Sequence, residues 1–511
     1  MSDLPLLDRV ERLCAVASAS AVGEDEARMI QALRERLREP LRVAIVGRAK
    51  AGKSTLLNAL VGERLAATNA GECTRVVTWY RTGITYDVRA RLRNGEERPV
   101  RFHRDRRLQV ILGDLRASDI ERLEIRWPAE RLARFVLVDT PGLASSDDAS
   151  AARTLHLVGA DQDQPSQVDA IVYLLRHAHQ RDVDFLEAFL DPSIGEVSPV
   201  NTIAVLSRAD EIGAGRLDAL ASAQSVAMRY ADDLRIRQLC SAVVPIAGLL
   251  AETGLTLRED EAAALRVLAG LPSEDLDRLL LSTDRFVDPG RSDLPAARRA
   301  DLLERFGLFG LRWSINQIRV GGVVTASDLS RALIEASGIG RLTGLLDGQL
   351  LDHARVLKAR AVLAALMALA RSLPTTRGEA AGALLDGIEE IEASSGEFAQ
   401  LRVWNLIRSG MVQFDHEEQM ELERLSAGGD AATQLGLAPD RPRDELLQVA
   451  ATRAARWRAR LEHPLTDRQT ADACGTMVWA YESLHARLLS RGADMAPASS
   501  GQPDQLDSSR H

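Results

Sequence analysis

Eight residues, Gly47-Arg48-Ala49-Lys50-Ala51-Gly52-Lys53-Ser54, stand between an apolar run of strand length, Leu41 to Gly47, and the helix-like stretch STLLNALVG. No other feature constrains the chain so tightly. A strand that delivers into a glycine-bearing turn and then into a helix gathers backbone N–H groups, and the positive end of the helix dipole, around one point. The ligand such a loop suits is the end of a polyphosphate. In this reading Gly47 to Ser54 cradle the phosphates, Lys53 bridges the β- and γ-phosphates, and the Ser54 hydroxyl ligates Mg²⁺. Composition adds weight. The chain holds 64 Lys and Arg together, and the only lysines are Lys50, Lys53 and Lys358. Arginine has displaced lysine almost everywhere, so two lysines inside one short loop point to chemistry rather than solubility. Lys50 is a candidate for a second positive charge on the transition state, with an exposed loop lysine as the plain alternative.

Further strand-like runs follow at 134–138, 168–175, 202–206 and 242–246, separated by helical or polar stretches, which predicts an α/β domain with a mostly parallel sheet and helices on both faces. Asp139-Thr140-Pro141-Gly142 leaves the end of the run RFVLV. There Asp139 is expected to hold the Mg²⁺ shell and Gly142 to offer its N–H to the γ-phosphate. Ser207-Arg208-Ala209-Asp210 leaves the run TIAVL and is a degenerate form of the signature that selects guanine over adenine. A carboxylate at Asp210 can accept from both N1–H and the 2-amino group of guanine, while adenine offers an acceptor at N1. Arg208 stands where lysine is usual, and its planar head can still cover a base face. Pro245 to Gly248 is a candidate base-edge loop. Thr74, about twenty residues after Lys53, is a candidate third Mg²⁺ ligand or merely a strand cap. Leu143 follows Gly142 where a water-orienting glutamine would sit, so hydrolysis needs another source of assistance.

The 511 residues allow two or three domains, and a net charge of −9 argues against nucleic acid as a partner. Cys14, Cys73, Cys240 and Cys474 are widely spaced, which suggests neither zinc nor a disulfide framework and fits a reducing compartment. The first residues carry Asp3 and Asp8 where a secretory leader needs basic residues, and no run of 18 apolar residues occurs. Amphipathic periodicity predicts helices before Pro40, with Leu7, Val10 and Cys14 and then Met29, Ile30, Leu33 and Leu37 inward. Asn94-Gly95 predicts a hairpin studded with Arg89, Arg91, Arg93, Arg98, Arg101, Arg104, Arg106 and Arg107. Beyond residue 254 the pattern is helical: 302–318, a long stretch 342–373, then blocks 398–425 and 446–489, the last broken at Pro464. Residues 492–511 are rich in Ala, Pro, Ser and Gly and are expected to be disordered.

GRAKAGKSTLLNALVGERL, ECTRVVTWY, WPAERLARFVLVDTPGL and VLSRADEIGAG together resemble the bacterial dynamin-like GTPases. Within them, LLERFGLFGLRWSI and HARVLKARAVLAAL resemble the actinobacterial isoniazid-inducible IniC type. The resemblance implies a GTPase domain over 40–345 with a helical elaboration at about 255–325, and an elongated helical stalk over 346–491 into which helices of 1–39 pack. It implies GTP as substrate with Mg²⁺, association of GTPase domains with each other or with a second dynamin-like chain, and remodelling of an anionic membrane from the cytoplasmic face. Eukaryotic dynamins carry a cation-positioning serine where this chain has Lys50. The expected membrane contact is the stretch Leu401 to Phe414, with Trp404, Leu406 and Ile407 beside Arg402 and Arg408; bundle core is the other reading of the same stripe. The competing expectation is an Era-type regulatory or RNA-associated GTP switch, contacting RNA through the arginine hairpin.

Overall fold

The computed structural model describes residues 5–21, 23–66, 76–104, 108–142, 154, 157–158, 166–176, 186, 199–289, 292, 294–321, 323, 325–408, 410–427 and 429–493. Two compact units divide at residues 409 and 410. Helices α1 (Leu6–Ala19) and α2 (Glu24–Arg38) lead into β1 (Leu41–Gly47) and α3 (Lys53–Val61). Strands follow as β2 (Val77–Thr82), β3 (Asp87–Leu92), β4 (Glu97–Pro99), β5 (Arg101–Arg104), β6 (Leu108–Ile111), β7 (Ile120–Trp127), β8 (Phe135–Asp139), β9 (Ala170–Leu175), β10 (Thr202–Ser207) and β11 (Ala242–Ile246). Nine of them form one sheet in the order β11-β10-β9-β1-β8-β2-β7-β3-β4, and β5 and β6 pair by themselves. From β11 through β8 every pairing is parallel; β2 runs antiparallel to β8 and β3 antiparallel to β7.

The parallel core is buried on both faces, so β1 is apolar at every position except Arg42 and the terminal glycine. Ala44 and Val46 face one core, shared with helices Ala219–Asp232, Glu259–Ala269 and Ala296–Arg319. Leu41, Val43 and Ile45 face the other, filled by α3 and by Ile339, Leu342, Leu346 and Leu350. β1 lies between β8 and β9, the place where the connections turn to opposite sides and where ligands bind at strand carboxyl ends.

A third core joins α1 and α2 to helices Ala354–Ser372, Gly378–Ser394 and Gly396–Arg408. Its border with the sheet is polar and specific. Lys358 Nζ caps α2 by donating to the carbonyls of Leu37 and Glu39 at 2.8 and 3.1 Å. Asp169 receives Arg36 at 2.7 Å and the Arg42 backbone N–H at 2.8 Å. The Glu39 carboxylate takes Arg42 and Arg81 on its two oxygens, and both guanidiniums lie over the buried Trp79 ring.

The second unit contains helices His416–Ala427, Ala431–Gln434, Arg443–Leu461 and Arg468–Ala493, the last two packed as a hairpin. One oxygen of its buried Glu421, Oε2, accepts from Arg456, Trp457 Nε1 and the Tyr481 hydroxyl at 2.8, 3.0 and 3.0 Å.

Several expectations need correction. The stretch 342–373 is not one helix: a wide π turn at Leu346–Leu350 precedes a break at His353, whose ring meets the Gln349 carbonyl. Gly344 and Gly348 weaken helix propensity there. The block 398–425 divides at Gly410, whose φ of 75° ends helical progress. Asp415 and Glu418 then cap the next helix reciprocally, each backbone N–H meeting the other side chain at 2.9 Å. Met29 is exposed, and the inward stripe of α2 is Ile30, Leu33 and Leu37. Of the expected membrane stripe, Ile407 and Phe414 are buried, Leu406 is half-buried, Trp404 packs against the third core and Met411 is exposed. An apolar stripe edged by arginine has the same periodicity whether lipid or a neighbouring helix covers it. Most of tail 492–511 lies outside the described residues.

Candidate nucleotide-binding site

The carboxyl ends of β1, β8 and β10 converge because their registers align: Ile45 is opposite Asp139, Gly47 opposite Leu174, and Ser207 opposite Ile246. Gly47 extends close to the Leu174 carbonyl, where a Cβ would stand at 2.9 Å, and Gly52 takes a φ of 97° at the mouth of α3. Arg48, Ala49 and Lys50 are exposed on the loop, and Ala51 is buried beneath it. Lys53 is buried and its Nζ donates to the carbonyls of Gly47 and Arg48 at 3.2 and 3.3 Å, arched back over the loop it would fill with phosphate oxygens. Burial draws its ammonium below the ordinary value, with Asp139 opposing.

Asp139 sits at the tip of β8. Its Oδ2 accepts the Ser54 hydroxyl at 2.9 Å, while Oδ1 is buried without a hydrogen-bond partner among the described residues. Burial pushes this carboxyl above its ordinary value against the pull of Lys53 and Ser54. A buried carboxylate oxygen with no donor, beside a serine hydroxyl, fits a hard divalent cation that takes oxygen ligands. The residues present therefore suit Mg²⁺. Thr74, the expected third ligand, lies outside the described residues, as does Leu143. Thr140 turns away and donates to the Ile45 carbonyl at 2.9 Å. Gly142 presses on the phosphate loop: a Cβ there would meet Ala49 Cα at 2.7 Å and Ala49 N at 2.8 Å.

The base loop closes the other side. A cavity of about 170 Å³ is lined by Gly52, Thr55, Ser207, Arg208, Asp210 and Gly248, with Leu174, Val205, Ile246 and Leu249 as its apolar wall. Phosphate loop, base loop and the loop after β11 thus enclose one space. Burial raises the Asp210 carboxyl above its ordinary value, and neighbouring Glu211 adds to this. Ser207 donates to the Leu175 carbonyl at 3.0 Å and locks the loop to β9. Arg208 reaches across to the Lys50 carbonyl at 2.9 Å. Sequence reasoning missed the apolar wall, the Gly142–Ala49 contact and the Arg208–Lys50 bond. Only the first had a local signal, the apolar ends of β9 and β10.

The arginine hairpin is largely neutralised from within. Arg89, Arg91, Arg98 and Arg104 pair with Asp87, Glu121, Glu96 and Glu63, and Arg93 donates to the Ser118 carbonyl. Arg106 and Arg107 lie outside the described residues.

A strand-loop-helix phosphate cradle, an acidic strand tip beside it and a carboxylate-bearing base loop at the sheet's reversal point define a P-loop GTPase. Residues 42–204 match the sequence model of the 50S ribosome-binding GTPase family. The isoniazid-induced protein IniC of Mycobacterium tuberculosis is 41% identical over 462 residues, 89% of this chain and 92% of IniC. The chain belongs to the IniC family of bacterial dynamin-like GTPases. Dynamin-like protein 2 of Campylobacter jejuni is 28% identical over 201 residues, 38% of this chain and 30% of that protein. Two chains of an oligomerised bacterial dynamin pair align over 96% and 95% of this chain and 75% and 89% of theirs, at 14% and 11% identity and TM-scores of 0.28 and 0.32.

Proposed function

We propose that the chain binds and hydrolyses GTP with Mg²⁺ through Gly47 to Thr55, Asp139, Gly142 and Ser207 to Asp210, and couples the cycle to association of GTPase domains and to remodelling of anionic membrane at the cytoplasmic face. The observation that carries the nucleotide half is the convergence of Lys53, Ser54 and the donor-free Asp139 oxygen on one point. Mg²⁺ would be held by Ser54 and Asp139 and would supply neutralisation of phosphate charge. Lys53 leaves its carbonyl partners for phosphate, and Gly142 offers its N–H where the loop touches Ala49. Arg208 covers the base and Asp210 accepts from its edge. Lys50, exposed on the loop, is the proposed second cation, and Thr74 the proposed closing ligand.

The domain division we propose is a GTPase domain over 40–345, with α1 and α2 packed on a helical part beginning near 346 and ending near 491. Membership of a dynamin-like family supports the membrane half. Among the described residues no helix is long and apolar enough to cross a membrane, so the contact we propose is peripheral. Internal pairing of the hairpin arginines counts against the RNA-associated reading. Calorimetry with GDP and GTP plus Mg²⁺ tests the first half, and nucleotide-dependent light scattering with anionic liposomes the second. Saturable heat and a GTP-dependent scattering change are expected. No heat with either nucleotide overturns the site, and full recovery of protein from liposome supernatants in every nucleotide state overturns the membrane role.

A further inference from the structure

Among the described residues only two other than glycine have positive φ, Lys50 at 62° and Arg208 at 54°. They stand 158 positions apart and they touch: Arg208 Nη2 donates to the Lys50 carbonyl at 2.9 Å. A left-handed backbone at a residue bearing a Cβ persists only where its surroundings over-determine it. The surroundings here are a chain of groups outside the motifs. Arg208 Nη1 donates to Glu211 Oε1 at 2.5 Å, and the other oxygen, Glu211 Oε2, accepts Arg176 Nη2 at 2.7 Å. Arg176 directly follows β9, and Glu211 itself lines the base cavity beside Asp210. Each Glu211 oxygen therefore serves a different arginine, which leaves the Arg208 guanidinium one plane in which to lie.

We propose that Glu211 and Arg176 are positioning residues for nucleotide recognition: they hold the Arg208 plane where the base stacks, and through the Lys50 carbonyl they hold the phosphate loop in its left-handed turn. The proposal rests on the reading of Ser207 to Asp210 as the base loop. These ion pairs are exposed at side-chain exposures of 51% for Arg176, 45% for Glu211 and 37% for Arg208. Pairs so wet add little to fold stability. Their effect falls on the geometry of a group that becomes covered when a base lies on it, where the same pairs work in a lower dielectric.

The test uses full-length Glu211→Gln and Arg176→Met, with affinity for fluorescent GDP, steady-state GTP turnover and thermal midpoint measured for each. Nucleotide Kd and KM should rise about 5- to 10-fold, the scale of one charge-assisted contact, with kcat within about twofold. The thermal midpoint should move by less than about 2 °C. Lys50→Gly supplies the discriminating background, because glycine adopts positive φ without strain. There Glu211→Gln should cost measurably less than in the parent, because the turn no longer needs holding and only the Arg208 plane is still affected. Unchanged affinity in both single variants overturns the proposal. So does an equal loss in the Lys50→Gly background, or a loss of affinity matched by a fall in thermal midpoint. Asp210→Asn separates the two levels: unaltered guanine selectivity there removes the base-loop reading itself, whereas altered selectivity with a silent Glu211→Gln removes only the relay.

Discussion

Gly142→Ala adds a single methyl group where the loop after β8 meets the phosphate loop. The new Cβ would lie 2.7 Å from Ala49 Cα, 2.8 Å from Ala49 N and 3.0 Å from Ala49 Cβ. Two of these atoms are backbone, so no rotamer change relieves the contact and one loop must move. Overpacking costs about 1–3 kcal/mol, and a clash against backbone belongs at the upper end, roughly 2–3 kcal/mol. That corresponds to about a 30- to 150-fold drop in the population with both loops engaged. Ala49 is exposed and Gly142 only half-buried, so the contact lies outside the core and the loss should appear in function rather than stability. Single-turnover GTP hydrolysis should fall by about that factor, while GDP, which has no γ-phosphate, should bind within about threefold of the parent. Gly340→Ala, outside the site, is the control: its Cβ would meet nothing within 4 Å, and hydrolysis should stay near the parent rate. Parent-like hydrolysis in Gly142→Ala, or equal losses in both variants, would refute the steric argument.

Lys53→Ala removes the buried ammonium and should lower kcat/KM by at least about 100-fold, measured by phosphate release; unchanged turnover would remove Lys53 from the machinery. Asp210→Asn should weaken guanine nucleotide binding by about 10- to 100-fold and improve binding of xanthosine nucleotides, read by competition. Glu39→Gln tests the border between the sheet and the helices. Burial raises the Glu39 carboxyl, but Arg42 and Arg81 outweigh it and hold it below its ordinary value of 4.5. A carboxylate held lower in the folded state stabilises above its ordinary value, and that contribution is lost as pH falls through the folded value. Chemical denaturation at pH 7 should find the variant about 1–2 kcal/mol less stable, with the gap closing as pH falls below the ordinary value of 4.5 and through the lower folded value. A gap that is constant with pH would show that the carboxylate's charge is not what holds the border.

The readings made from sequence separate by the range of the physics behind them. The phosphate loop was legible because its chemistry is contiguous: two glycines, Lys53 and Ser54 act within eight positions, between a strand and a helix that announce themselves by periodicity. The strand from Leu41 to Gly47 is helped by being buried on both faces, so that its apolar run has one interpretation. The stretch Leu401 to Phe414 shows the opposite case. Its stripe announced burial but not the partner: Leu401 and Trp404 pack in the third core and Ile407 is buried, while Met411 stays exposed. Likewise Arg89 and Arg98 had acids two positions away, but the partner of Arg104 is Glu63, 41 positions distant, which no local pattern exposes.

The sequence alone determined that a phosphate cradle, an acidic strand tip and a base loop exist, because each is a short motif whose backbone needs and side chains lie together along the chain. Only the tertiary structure decided that Gly142 rests on Ala49, that one buried Asp139 oxygen has no hydrogen-bond donor among the described residues, and that Arg208 ties the base loop to Lys50. Those facts depend on strand order and register, which arise from burying both faces of one sheet at once, and no segment read by itself contains that condition.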